Sequence, residues 1–118
     1  MNKISIIIPI LNESKTIVSL LQYLIKNSSS TNISEIIVVD GGSKDESFKL
    51  VSGFNLLNNK VILMPSERGR ATQMNLGEQK ATGTILYFLH ADSFPPSDFD
   101  QLIINEVKKG NLAGCFKM

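Results

Sequence analysis

Four short stretches carry the side chains able to do chemistry. Asn12-Glu13 follows a run of isoleucines, Asp40-Gly41-Gly42-Ser43 a second apolar run, Ser66-Glu67-Arg68-Gly69-Arg70 a third, and His90-Ala91-Asp92-Ser93 a fourth. Carboxylates offer hard oxygen ligands to a divalent cation, which usually keeps waters and substrate phosphates in its shell as well. Arginine presents a planar fork that matches a phosphate. Arg68 and Arg70 stand just before a helical pattern, where a cation opposes the helix dipole, so the pair asks for an anionic partner. The chemistry on offer is therefore the holding of a phosphorylated ligand, with or without an ion. Each group also has an ordinary structural use. Asp40 and Ser43 suit the start of a helix, Glu13 a first helical turn, His90 a packed strand end, Asp92 an Asx turn, and the arginines a solvated surface.

The elements that must position these groups follow from hydrophobic pattern. Ile4 to Ile10, Ile33 to Val39, Val61 to Met64 and Thr84 to Leu89 are short β-branched or apolar runs, read as buried strands. Between the first two, Ile17, Leu20, Leu21, Leu24 and Ile25 form a helical stripe, with Asn12 as its expected N-cap. A capping box, Ser43-Lys44-Asp45-Glu46, predicts a second helix starting at Ser43 and burying Phe48, Val51 and Phe54. A third runs from about Gly69 to Ala81, with Gly83 expected to end it in the left-handed conformation. A fourth is expected after Pro95-Pro96, capped by Ser97, with Phe99, Leu102, Ile103 and Val107 on one face and Gly110 as its stop. Leu112 to Met118 opens a fifth strand, and Asn27 to Asn32 is a solvated loop. Strand and helix alternate, which predicts an α/β fold: right-handed βαβ units around a mostly parallel open sheet, with helices on both faces. In such a sheet ligands bind outside the carboxyl ends of the strands, where all four polar stretches fall.

Composition narrows the function classes. The 118 residues hold 12 Lys and Arg against 11 Asp and Glu, so no basic field invites nucleic acid. A lone cysteine, Cys115, excludes an internal disulfide and a cysteine zinc cluster, and reads as a small core residue. Nothing resembles a signal peptide or a membrane span, so a cytoplasmic location is expected, with attachment to the inner face of the membrane not visible in this chain. No G-x-G-x-x-G follows the first strand and no P-loop occurs anywhere, which removes the Rossmann dinucleotide and P-loop NTPase readings.

Ile6-Ile7-Ile8-Pro9-Ile10-Leu11-Asn12-Glu13, then Ile36-Ile37-Val38-Val39-Asp40-Gly41-Gly42-Ser43-Lys44-Asp45, resembles the opening of family 2 glycosyltransferases of the GT-A fold. Gly69-Arg70-Ala71 with Gln73-Met74-Asn75, Gly77 and Ala81, then Leu89-His90-Ala91-Asp92, looks like a bacterial subgroup of that family. The resemblance covers nearly the whole chain. It implies the strand order 3-2-1-4, a crevice between the first and fourth strands, and a nucleotide-sugar donor, by family habit a UDP-sugar. By similarity Pro9, Asn12 and Glu13 border the nucleotide, Asp40 hydrogen-bonds the base, and Asp92 stands at a divalent metal, Mn²⁺ or Mg²⁺, and the diphosphate. Arg68, Arg70 and, more weakly, Asn75 join the donor-binding set. His90 occupies the place of the first acid in the usual acid-x-acid pattern, which tilts a metal site toward Mn²⁺. The implied reaction is inverting sugar transfer, with its general base expected beyond Met118, so 1–118 reads as the donor-binding part of a truncated domain. Truncation would uncover a sheet edge, from which homo-oligomers are expected. Rival classes are a nucleotidyltransferase, disfavoured because no Gly-rich basic loop follows the first strand, and a non-catalytic nucleotide-binding or interaction module.

Overall fold

The computed structural model describes residues 2–110 and, as backbone, 115–117. Elements alternate along the chain: β1 (Ile4–Ile10), α1 (Ile17–Lys26), β2 (Ile33–Asp40), α2 (Ser47–Leu57), β3 (Val61–Pro65), α3 (Arg70–Lys80), β4 (Ile85–Phe88), α4 (Phe99–Lys108) and β5 (Cys115–Lys117). All pairings are parallel, in the order β3-β2-β1-β4-β5. The expected order 3-2-1-4 is therefore present, with β5 beside β4. The rest of the expected fifth strand, and the packing of Cys115, lie outside the described residues.

Alternation along the central strand sorts the two cores. Ile4, Ile6, Ile8 and Ile10 face α1, α2 and α4 through Leu20, Leu21, Leu24, Val51, Phe99 and Ile103. Ile7 faces the other way, with Ile37, Val39 and Phe88, toward Met74 and Leu76 of α3. Strands buried on both faces need no polar alternation, which is why these runs read as continuous apolar stretches.

This arrangement has a consequence for handedness. The chain moves from β1 to β2 and from β4 to β5 in opposite directions across the sheet, yet α1 and α4 cover the same face. The β4–α4–β5 crossover thus has the opposite hand to β1–α1–β2, correcting the expectation of uniformly right-handed units. Tyr87 stacks on Phe99 with ring centroids 5.9 Å apart, and the Tyr23 hydroxyl donates to the Pro95 carbonyl, so contacts to β4 and α1 hold α4 on that face.

Several local expectations are also corrected. The second helix starts at Ser47, because Ser43 to Glu46 serves another purpose described below. Phe48 is exposed, while Val51 is buried and Phe54 half-buried. Helix α1 starts at Ile17, where the Glu13 carbonyl accepts from the Thr16 and Ile17 amides, and not from an Asn12 cap. Helix α4 follows Asp98 in place of Ser97 and buries Ile104 while leaving Leu102 exposed. Gly83 has no left-handed backbone; a Cβ there would sit 2.7 Å from the Lys3 carbonyl oxygen, so close approach explains the glycine. Gly110, at φ 77°, does end α4 as expected. The Asn27–Asn32 loop is anchored: buried Asp100 accepts from the Ser29 amide at 2.9 Å and from Asn32 Nδ2 at 3.0 Å.

Candidate functional site

The loops after β1 and β2 are tied together residue by residue. The Asn12 amide donates to Ser43 Oγ at 2.8 Å, and Asn12 Oδ1 accepts from the Lys44 amide at 2.8 Å. To do this Asn12 takes φ 57°, a left-handed conformation that asparagine tolerates better than most residues. The Glu13 amide donates to Ser47 Oγ at 2.7 Å, and the Ser14 amide to Asp45 Oδ2 at 3.2 Å. The Ser47 hydroxyl and amide both donate to Asp45 Oδ1, and with the Ser14 bond they hold the Asp45 carboxyl down at about 2 despite the opposing cost of desolvation. The apparent capping box is thus spent on cross-loop bonds, which delays the helix by one turn.

Against this double loop lies a cavity of about 240 Å³, lined by Pro9, Ile10, Leu11, Glu13, Arg68, Gly69, Arg70 and Gln73. Four of the predicted residues therefore meet in one place. Gln73 is the site residue that the sequence reading did not select. It is 4% exposed, and its Nε2 donates to the carbonyls of Ile10 at 2.9 Å and Val39 at 2.8 Å, clamping the ends of β1 and β2. Its signal was available: Gln73 lies four residues before Gly77 and so shares the sheet-facing side of α3. A side chain at Gly41 would meet Gln73 Oε1 at 2.7 Å, so that glycine makes room for the clamp. Asn75, on the exposed side of the same helix, is not brought to the cavity.

Asp40 ends β2 and is 2% exposed. It does not line the cavity; its Oδ1 accepts from the amides of Gly42 at 2.8 Å and Ser43 at 2.6 Å, while its Oδ2 is buried and has no hydrogen-bond partner among the described residues. A buried carboxylate oxygen without a donor is costly, and in a native site it calls for an explanation. Beyond β4, one Arg70 guanidinium nitrogen lies 2.8 Å from His90 Nδ1, joining the loop after β4 to the cavity wall. Asp92 is exposed, two residues further on. The cavity lies between the loop after β1 and the start of α3, and the loop after β4 reaches it through His90; this refines the expected crevice between β1 and β4.

A larger cavity, about 440 Å³, opens at the opposite end of the sheet among Ser34, Glu35, Asn59, Lys60, Ile62, Lys80 and Thr82. Its central polar groups are already satisfied. Glu35 accepts from Ser5 Oγ, the Thr82 amide and Thr82 Oγ1, and Lys60 Nζ donates to the Ser30 and Ile33 carbonyls. Size favours this cavity, which also holds Lys60 and Lys80; the smaller one, with Arg68 and Arg70, lies at the carboxyl ends of the strands, where ligands of open parallel sheets bind.

The pattern of loops at the carboxyl edge has close parallels. The family model of glycosyl transferase family 2 matches residues 5–116. This chain belongs to that family. Its members with similar sequence include the undecaprenyl-phosphate 4-deoxy-4-formamido-L-arabinose transferase of Proteus mirabilis, 32% identical over 96% of this chain and 36% of that protein. An uncharacterized glycosyltransferase of Haemophilus influenzae is 34% identical over 92% of this chain and 44% of its own length. The chain thus spans less than half the length of these relatives. Among solved structures, S. aureus TarS 1-349 in complex with UDP-GlcNAc superposes with a TM-score of 0.75 at 26% identity, over 91% of this chain and 31% of that one. GalNAc-T7 with UDP, GalNAc and Mn²⁺ gives 0.69 at 28% identity, over 77% and 18%. The fold is that of the GT-A glycosyltransferases. No helix among the described residues is long and apolar enough to cross a membrane.

Whether a divalent ion fits can be judged from the donor set. Among the described residues no group of three or more His, Cys, Asp or Glu side chains could hold one. Asp92, an exposed carboxylate, fits a single-ligand site completed by waters and substrate phosphates. His90 Nδ1 does not fit such a site while the Arg70 guanidinium is on it.

Proposed function

We propose that this chain is the donor-binding part of a glycosyltransferase that moves a sugar from a nucleoside diphosphate sugar, UDP-sugar in preference, to an acceptor. The observation that carries this reading is the buried Asp40 Oδ2 without a donor among the described residues, at the same carboxyl edge of the sheet as a cavity bearing two arginines. An N–H on the Watson–Crick edge of a base is the kind of donor that satisfies such an oxygen. Pro9, Leu11 and Glu13 border the nucleotide, with the Glu13 backbone pinned by Ser47. Arg68 and Arg70 take the diphosphate through bidentate bonds, which also relieves two cations at a helix start. Asn12 and Gln73 act from behind, one locking the two loops together and the other locking the strand ends.

Asp92 is the residue assigned to a divalent ion, Mn²⁺ or Mg²⁺; when bound, such an ion neutralises charge developing on the leaving diphosphate. Inversion at the anomeric carbon and an acceptor hydroxyl as nucleophile belong to the same proposal, with the general base assigned to no residue of this chain. That TarS and GalNAc-T7 have been crystallised with UDP supports a uridine donor.

The test is calorimetry of the folded chain with UDP, with and without Mn²⁺. The expected result is binding that tightens with the ion, with Asp92→Asn removing only the ion-dependent part and Asp40→Asn weakening binding in both conditions. No binding of any nucleoside diphosphate in the presence of the ion contradicts the proposal.

A further inference from the structure

The Arg70–His90 contact assigns His90 a role other than that of a metal ligand. A guanidinium has only donors and stays protonated, so at 2.8 Å His90 Nδ1 must be the acceptor. The ring is then neutral with its proton on Nε2. An ion could reach Nδ1 only by expelling Arg70, and Nε2 only if the ring proton moved to Nδ1, which would break the Arg70 contact as well.

The backbone around His90 is well placed to hold something else steady. Leu89 and Ala91 on either side are buried, the Leu89 amide donates to the Ile7 carbonyl at 3.0 Å, and the His90 carbonyl accepts from the Ser93 amide at 3.0 Å. Arg70, by contrast, is an exposed residue at the first position of α3, a long side chain with much rotamer freedom to lose. A fixed acceptor on one nitrogen leaves the rest of the fork to meet an anion in the cavity that Arg70 lines.

Resting on the donor-binding reading above, we infer that His90 is a positioning residue that preorganises Arg70 for the donor's diphosphate, and that it does not bind the metal. Immobilising such a side chain in advance is worth about three- to tenfold in affinity.

Two measurements test this. In EDTA, His90→Ala and Arg70→Ala are each expected to weaken UDP binding by about three- to tenfold or more, with the double variant no weaker than Arg70→Ala. Uridine, which has no phosphate, is expected to bind all of them alike, and His90→Gln, which restores an acceptor, to bind UDP nearly as the parent does. The factor by which Mn²⁺ tightens UDP is expected to survive His90→Ala. Additive losses, or a His90→Ala chain that keeps its metal-free affinity and loses the Mn²⁺ effect, would overturn the inference. Failure of the parent to bind UDP would instead remove the donor reading and the role that rests on it.

The second measurement needs no nucleotide. His90 is the single histidine of the chain, so its ring nitrogens give an unambiguous NMR signature. In mildly alkaline buffer the Nε2–H tautomer is expected, with Nδ1 unprotonated, and Arg70→Ala is expected to shift the tautomer balance. A ring whose tautomer ignores Arg70 contradicts the pairing.

Discussion

At the scale of the residue, the site is marked by what is left unpaired. Asp40 spends Oδ1 on two loop amides and keeps Oδ2 buried with no partner among the described residues, so a donor brought by a ligand would relieve a cost of folding. Asp40→Asn keeps an oxygen for the loop amides and removes the uncompensated charge. It is therefore expected to leave the melting temperature equal or higher while UDP affinity falls at least about tenfold, the usual opposition of stability and function at a built site. Thermal melts and calorimetry on the same samples check both signs; a large drop in melting temperature with affinity intact would contradict the assignment. Gln73 is the opposite case, a polar group fully used. Gln73→Leu removes donors from two strand-end carbonyls, of which that of Ile10 retains the Gly41 amide, so a loss of about 1–3 kcal/mol is expected in denaturant melts.

At the scale of the element, glycines show how closely each helix sits on the sheet. A Cβ at Gly77 would lie 2.5 Å from Ile7 Cγ2, a fully buried β-branched side chain with little room to yield. The overpacking cost of about 1–3 kcal/mol then exceeds the gain in helix propensity of about 1 kcal/mol, so Gly77→Ala should destabilise. Gly53, inside α2, has nothing among the described residues within 4 Å of a Cβ, so Gly53→Ala should stabilise by about 0.5–1 kcal/mol. Equal effects at the two positions would contradict the packing described. The same scale shows what sequence could reveal. The strands and the sheet-facing stripe of α1 were legible because burial on both faces leaves uninterrupted β-branched runs and burial on one face leaves a helical period. Helix starts were not. Ser43, Asp45 and Asn12 have local capping chemistry, but tertiary bonds between two loops compete for the same atoms and win. Pro9, Glu13, Arg68 and Arg70, which line the cavity, are legible because they stand at or after the ends of readable strand runs; Gln73 is legible only through its spacing from Gly77, a weaker signal than a strand end.

At the scale of the whole molecule, the two ends of the sheet are built for different tasks. The amino end is tied together by Glu35, which is 5% exposed and links β1 to the segment after α3 through Ser5 and Thr82. Burial pushes its carboxyl up, but hydrogen bonds from Ser34, Thr82 and Ser5 outweigh that and hold it below the ordinary value of 4.5. A depressed carboxyl adds stability that is fully present above 4.5 and is lost as pH falls through its folded value. Unfolding free energy should therefore decline below that pH, and Glu35→Gln should flatten the decline while lowering stability at neutral pH. An unchanged acid slope in the variant would contradict this role for the network.

The carboxyl end carries the two arginines and the unpaired Asp40 oxygen, and the central claim is that the nucleotide binds there and not in the larger cavity at the amino end. Titration of the isotope-labelled chain with UDP, followed by amide chemical shifts, tests this most directly. The account predicts shifts concentrated at Leu11, Glu13, Gly41, Gly42, Ser43 and Arg70, with Ser34, Lys60 and Thr82 unmoved; shifts centred on Ser34, Lys60 and Thr82, or none at saturating UDP, would contradict it.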